Sequence, residues 1–352
     1  MDFSIAGVLS LDGLTNGAIY ALLGIATVLI FTVTRILFIP QGEFVAFGAL
    51  TLAMFQLGQV PGTVWLLLAG AVAAVVMDAQ SAWKDCRAGN RRLPLARLLF
   101  TILLRRLAFP LVVAALSIWA APRDLSIWVQ ALLTLGIVTP MGALLYRIVY
   151  QSLAEASVLI LLIVSVGVHF ILLGLALFFF GAEGFRNPVF LDVRYDLGPL
   201  SLTGQVIAIF VAFIVLMLAL RLFFDRTLYG KALRATAVNR LGARLMAISA
   251  DAAGSLSFSM AAFIGALSGL LIGSTTTVFY DSGFLIGLKG FIAAVGGGLA
   301  SYPVTAAGAL LLGVAESFGS FWASSFKEAI VFTLILPVLL WRSRFTLHHE
   351  ED

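Results

Sequence analysis

Apolar runs of about twenty residues alternate with short polar breaks along nearly the whole chain. They lie near 12–34, 37–56, 62–78, 98–120, 127–148, 156–180, 204–224, 252–277, 284–300, 303–321 and 325–341. A run of roughly 20 apolar residues crosses the hydrocarbon core of a bilayer as an α-helix. The pattern therefore predicts an all-α polytopic membrane protein with 9–11 transmembrane segments. The three shortest runs (62–78, 284–300 and 325–341) are candidates for tilted, broken or re-entrant helices. Small residues recur at helix-packing spacing: Gly265, Gly269 and Gly273 make two overlapping G-x-x-x-G steps, and Gly13 and Gly17 make another. That spacing lets helix backbones approach closely in lipid. The run Gly296, Gly297, Gly298 is different, because consecutive glycines break a membrane helix. Broken backbone at depth must be buried in protein or face water, which makes 284–303 a candidate hinge or pathway element.

One polar island, Asp225 to Ala250, interrupts the pattern between two long apolar runs and carries its own periodicity. Leu233, Ala237, Leu241, Leu245 and Ile248 fall on one stripe of an α-helix, with Arg234, Asn239, Arg240 and Arg244 off it. A basic amphipathic helix in a tight loop of a membrane protein is a surface on which a soluble subunit would push.

Composition agrees with the pattern. Hydrophobic residues make up 61% and charged residues 11%, against about 25% charged in a soluble domain, and mean hydropathy is +1.06. The chain reads as a single transmembrane domain over 1–352 with no soluble domain attached. Lys84, Arg87, Arg91, Arg92 and Arg97 occupy loop 79–97, with Arg105 and Arg106 just beyond it. Five more cations lie in 225–250, and Arg342 and Arg344 follow the last segment. Loop 181–203 instead sets Glu183, Asp192 and Asp196 against Arg186 and Arg194. Basic loops lie inside, so eleven crossings put the N-terminus outside, and Arg147 and the C-terminus inside. Met1 to Ser10 has no basic stretch and carries Asp2, so it does not read as a signal peptide. The single cysteine, Cys86, excludes an intramolecular disulfide. The net charge of +4 reflects the inside loops and not a nucleic-acid surface.

Enzyme chemistry is sparse. Gly230-Lys231 is followed by Ala232 and lacks the upstream glycine of a P-loop, so the chain has no such site for ATP. No H-E-x-x-H, C-x-x-C or G-x-S-x-G occurs, and the tail pair His348, His349 reads as solvated. Ionisable groups inside a membrane segment cost about 2.5–3.5 kcal/mol at its centre on insertion scales. Glu43 follows Pro40-Gln41-Gly42 at an irregular helix start, where the helix dipole favours an anion. His169 lies mid-segment, either lining a polar pathway or hydrogen-bonded in the core. Glu316 and Lys289 are candidates for internal pairing, while Asp281 and Thr275 to Thr277 fall at a segment end. No acid or histidine series along one helix suggests a proton relay. Gln41, Gly42, Glu43, His169, Gly296, Gly297 and Gly298 are the candidate substrate pathway.

Three blocks resemble a known family, the LivH-type permease subunits of branched-chain amino acid ABC importers. They are LDGLTNGAIYALLGIATVLIFTVTRILFIPQGEFVAFGALTLA (11–53), YGKALRATAVNRLGARLMAIS (229–249) and GLKGFIAAVGGGLASYPVTAAGALLLGVAES (287–317). With 127–180, the likeness covers roughly four-fifths of the chain. The resemblance implies a second permease subunit, homologous or identical, two ATPase subunits and a periplasmic substrate-binding protein, in the lipid of a bacterial inner membrane. It implies no cofactor on this chain, with ATP and Mg held by the partner subunits, and no nucleic acid. Lys231, Arg234, Asn239, Arg240, Leu241, Arg244 and Leu245 would form a coupling helix seated in an ATPase groove. A branched-chain or related amino acid is the implied substrate, with amides, short peptides and aromatic acids still open. The chain departs from the family pattern at Pro40-Gln41, where Ala-His is common, at Ala247, where glycine is usual, and at Val304, which replaces another common glycine. A stretch of about 60 residues, 62–124, reads as an inserted helical hairpin. Two other classes remain: a self-contained ion-coupled carrier, which would need an internal repeat with matched broken helices, and, more distantly, an intramembrane enzyme.

Overall fold

The structure, a computed structural model, describes residues 3–87, 95–197, 200–333, 336, 337 and 340. It is helical apart from one short hairpin. Among the described residues, seven helices are long and apolar enough to cross a membrane. They are α1 (Phe3–Thr34), α3 (Gly62–Arg87), α5 (Ile127–Leu145), α6 (Val158–Phe180), α7 (Gly204–Arg226), α10 (Ala250–Ile272) and α12 (Tyr302–Trp322). The others are α2 (Glu43–Gln56), α4 (Leu95–Ala120), the short pair α8 (Leu228–Val238) and α9 (Arg240–Leu245), α11 (Ser282–Gly296) and α13 (Lys327–Thr333). Gly89, Asn90, Arg91, Arg92, Pro94, Arg342, Arg344, His348 and His349 lie outside the described residues, and Cys86 sits in the last turn of α3.

The bundle is organised around α1, which is apolar on every side and buried throughout Ala18 to Ile30. Lipid is as apolar as leucine, so hydrophobicity alone does not hold such a helix in place; close packing does. Gly13 and Gly17 meet the backbone of α12, where an added Cβ would lie 2.6 Å from Val314 Cα and 2.8 Å from Leu310 Cα. Gly265 and Gly269 do the same for α10 against α2.

Two helices are half-length: the one in run 37–56, expected as a full crossing, and the one in run 284–300, a candidate for a tilted, broken or re-entrant helix. Beyond Thr34 the chain turns through Arg35, at a φ of 60°, and runs extended to a 3-10 turn at Ile39–Gly42 before α2 begins. Pro40 supplies no N–H and disfavours a helical Ile39, so no helix passes through here. Gln41 bonds to Ala261 at the midpoint of α10, and Glu43 approaches His169 at the midpoint of α6. Helix α2 therefore starts near the middle of the bundle. The second break follows α10: residues 273–281 return without helix, and α11 begins at Ser282, where Gly283 and Gly287 press on Gly42. Of 14 and 15 residues, α2 and α11 span about 21–23 Å at 1.5 Å per residue, short of the ~30 Å core.

The two breaks are related by inversion. Helix α1 descends, a lead-in of 35–42 returns to the centre, and α2 leaves toward the face where α5 starts. Helix α10 ascends, a lead-in of 273–281 returns, and α11 leaves toward the opposite face, where α12 starts. Each half-helix packs on the other unit's long helix, α2 on α10 and α11 on α1, and likewise α5 packs on α10 and α12 on α1. The antiparallel hairpin α3–α4 stands outside this correspondence.

The sequence places the second break at Gly296 to Gly298, and the structure puts it ahead of α11 instead. The glycine run ends α11: Leu299 N donates to Ala294 O and Gly298 N to Val295 O, each at 2.8 Å, with φ of 71° at Gly298. This is a glycine-assisted helix C-terminus. The true break is preceded by Thr275 to Thr277, whose polarity reads as a segment end. Its backbone is satisfied by loop 181–203, which bridges Phe185 to Val278 and bonds Asn187 N to Gly273 O. The hairpin β1 (Arg194–Leu197) and β2 (Leu200–Thr203) completes that loop.

Valine at Gly42 would drive its side chain into Gly283 and should cost on the order of 3 kcal/mol. Valine at Gly167, whose Cβ direction on α6 is open, should change stability by no more than about 0.5 kcal/mol. Unfolding followed by size exclusion after heating in detergent compares the two.

Candidate functional site

At the crossing of the half-helices, four elements bring Gln41, Gly42, Glu43 and His169 together. Glu43 opens α2, where unpaired backbone N–H groups and the helix dipole favour a carboxylate. It is 1% exposed, and its Oε1 lies 2.9 Å from His169 Nδ1. That approach lacks hydrogen-bond alignment, so both Glu43 oxygens and Gln41 Oε1 are buried without a hydrogen-bond partner among the described residues. Gln41 is anchored at its other end, Nε2 donating to Ala261 O at 2.9 Å. The His169 ring lies 4.7 Å from that of Phe284 in the first turn of α11. The lead-in below is sealed by rings, with Phe38 4.9 Å from Phe258 and 5.9 Å from Tyr150. The cavities of about 610 and 800 Å³ do not reach these four residues. Gly296, Gly297 and Gly298 are not part of this cluster; they lie a helix length away, at the far end of α11.

The basic island forms two helices and not one. Asn239 is extended, with φ −148° and ψ 102°, and its side chain caps α9 by accepting from Gly242 N at 2.8 Å. The break rotates α9 relative to α8, so the single expected stripe does not exist. Leu233 is buried in the bundle, while Leu241 and Leu245 are 69% and 81% exposed beside Val238 and Met246 at 82% and 77%. The off-stripe cations brace the pair. Arg234 pairs with Asp225 at 2.9 Å, Arg240 Nη1 donates to Ala154 O at 3.0 Å, and Arg244 meets Glu155 at 3.1 Å. Lys231 points outward. Ala247 closes the unit at a φ of 60°, a left-handed position that costs a residue with a Cβ and explains why glycine suits it.

A buried ionic cluster ties α11 to its neighbours. Lys289 Nζ lies 2.6 Å from Glu316 on α12 and 3.2 Å from Glu328 on α13, under the Tyr20 ring. Glu316 and Lys289 thus pair with each other, as charges in an apolar interior must. Sequence reasoning missed Glu328, and also Asn187, whose Nδ2 donates to Ala49 O at 3.0 Å. Asn187 sits in loop 181–203, whose polar residues looked like ordinary loop composition, and Glu328 near the start of the apolar run 325–341.

A helical bundle crossed by two inverted half-helices, with a capped apolar-basic projection on one face, is the scaffold of a membrane permease. Residues 107–340 match the family model described as branched-chain amino acid transport system / permease component, and the chain belongs to that family. It is 33% identical over 217 residues to the high-affinity branched-chain amino acid transport system permease protein BraD of Pseudomonas aeruginosa, covering 60% of this chain and 71% of that one. It is 31% identical over 201 residues to the LivH proteins of Salmonella typhimurium and Escherichia coli, covering 55% of this chain and 65%, just under two thirds, of theirs. No solved structure matches. The chain is accordingly a multi-pass inner-membrane permease component.

Replacing Lys289 by methionine strands the buried carboxylate of Glu316 and the half-buried one of Glu328, and should cost on the order of 3–5 kcal/mol. The pair Lys289→Met with Glu316→Gln should cost clearly less than the sum of the single changes. A double-mutant cycle from unfolding in detergent and denaturant reads the coupling.

Proposed function

We infer that this chain is the permease subunit of an ATP-driven importer that moves branched-chain or related amino acids handed to it by a periplasmic binding protein. The observation that carries this reading is the exposed apolar surface of Val238, Leu241, Leu245 and Met246, rigidly capped and ringed by Lys231, Arg234, Arg240 and Arg244. Large apolar side chains on a polar projection mark a protein docking site. Here the partner is an ATPase subunit, two of which bind a pair of permeases, the second identical to this one or homologous. ATP and Mg belong to those subunits and no cofactor to this chain; nucleic acid is not a partner. The substrate class follows from the names of the matched relatives.

The basic face is cytoplasmic on this reading, which puts the N-terminus and loop 181–203 outside, toward the binding protein, and the C-terminus inside. Movement of α8–α9 is passed to α10 and, through the Arg240 and Arg244 contacts, to the loop before α6. Both helices flank the centre, so Gln41, Gly42, Glu43 and His169 line a pathway that is occluded in this conformation. The turn Gly296 to Gly298 serves as the hinge of α11. The hairpin α3–α4 is an insertion into the repeat.

A second reading has one observation behind it: matched half-helices from inverted units also characterise ion-coupled carriers. Reconstitution separates the two. Uptake should require the ATPase partners and ATP; uptake by the chain alone under an ion gradient would favour the carrier. Aspartate at both Leu241 and Leu245 should lower ATP-driven uptake on the order of 100-fold, from a loss of more than 2 kcal/mol at an interface centre. The melting of the isolated chain should not change, because both side chains are exposed. Unchanged uptake would remove the docking assignment.

A further inference from the structure

Near the basic face, three helices hold a charge cluster that the permease mechanism does not use. Asp78 on α3 receives Arg106 Nε from α4 at 2.9 Å and Arg147 Nε from the turn after α5 at 2.6 Å. One carboxylate faces two guanidinium groups, so this trio has one positive charge in excess, and Asp251 brings the charged lining of the cavity to two acids and two arginines. It forms one end of a cavity of about 800 Å³. A second cavity of about 400 Å³, lined by Leu216, Ala219, Leu220, Met260, Phe263 and Ile264, shares Phe223, Leu256 and Ser259 with the first. Together they make one crevice, polar at the face of the bundle and apolar toward its middle.

The crevice exists because α7 packs on α8 and α1 and barely touches α10. Its flank is apolar and exposed: Leu222 on α7, Leu103 and Leu104 on α4. An opening rimmed by such side chains faces acyl chains. Asp251, the other acid of the polar end, accepts from Gln151 Nε2 at 3.1 Å.

We propose that this crevice binds one anionic glycerophospholipid of the inner leaflet, its phosphate on Arg106 and Arg147 and one acyl chain along the α7–α10 gap. Guanidinium groups suit phosphate oxygens because planar paired donors match them. The graded polarity distinguishes a lipid from free phosphate, which has no use for the apolar limb. The assignment gives the hairpin α3–α4 a role: it supplies Asp78 and Arg106, two of the three charges, and its removal would leave Arg147 bare.

Native mass spectrometry of the purified full chain tests this, with phosphatidylglycerol and phosphatidylcholine of matched acyl chains added separately. The expected result is retention of phosphatidylglycerol about tenfold above phosphatidylcholine, the factor of one charged contact, and no displacement by inorganic phosphate. Arg106→Gln removes a partly exposed headgroup contact, and Ala219→Trp fills the apolar limb from an exposed position without touching the charges. Each should bring phosphatidylglycerol down to the phosphatidylcholine level while the chain stays monodisperse on size exclusion. Equal retention of the two lipids by the unaltered chain overturns the proposal whatever the variants do. So does undiminished retention in either folded variant, and so does displacement by phosphate, which would reduce the site to a simple anion pocket.

Discussion

Backbone at mid-depth in a bilayer has no water to fall back on, and this constraint shapes most of the molecule. Two helices begin there, each preceded by a lead-in without helix, and every polar group in those stretches needs an internal partner. The solution is a crossing at which Gly42 lies against Gly283 and Gly287 with no side chain between. Because nothing larger than hydrogen fits, the two helix starts share one protected volume. Gln41 spends its amide on the Ala261 carbonyl, and loop 181–203 folds over the other lead-in to satisfy Gly273 and Val278. Without that crossing both half-helices would end in lipid.

Charge is distributed along the same logic. The bundle holds Lys289 because Glu316 and Glu328 both pair with it, which ties α11 to α12 and α13. Glu43 and His169 are the contrasting case. They approach within 2.9 Å but leave buried acceptors unsatisfied. On the basic face, guanidinium groups are spent on bracing α8 and α9, so the apolar tips of α9 project from a stiff support.

Much of this was legible in the sequence. The eleven apolar runs correspond to helices among the described residues, although 37–56 is helical only from Glu43 and 252–277 only to Ile272, and the glycine steps in α1 and α10 do pack backbones closely. Pro40 and Gly42 marked the first half-helix, because proline and glycine act locally. The second break was misplaced at Gly296 to Gly298. Three glycines are a loud local signal, but at a helix end they only close the last turn. The true break lies in Thr275 to Asp281, where ordinary residues lose helix because loop 181–203 supplies better partners. The same limit applies to the basic island: periodicity gave one stripe, yet Asn239 broke it by capping the following turn, a choice made by one side chain and invisible to a count of apolar spacings.

The sequence by itself determined the class, the rough extent of most segments, and the residues able to bear charge at depth. These depend on hydropathy and on local backbone chemistry, both written position by position. Only the tertiary structure decided that α2 and α11 are inverted halves meeting at glycine, that Lys289 takes Glu316 and Glu328, and that Asp78 gathers Arg106 and Arg147. Each of these is a pairing between residues far apart in the chain. In lipid the pairing energy comes from close fit and matched charge, and neither quantity is defined until the helices are side by side.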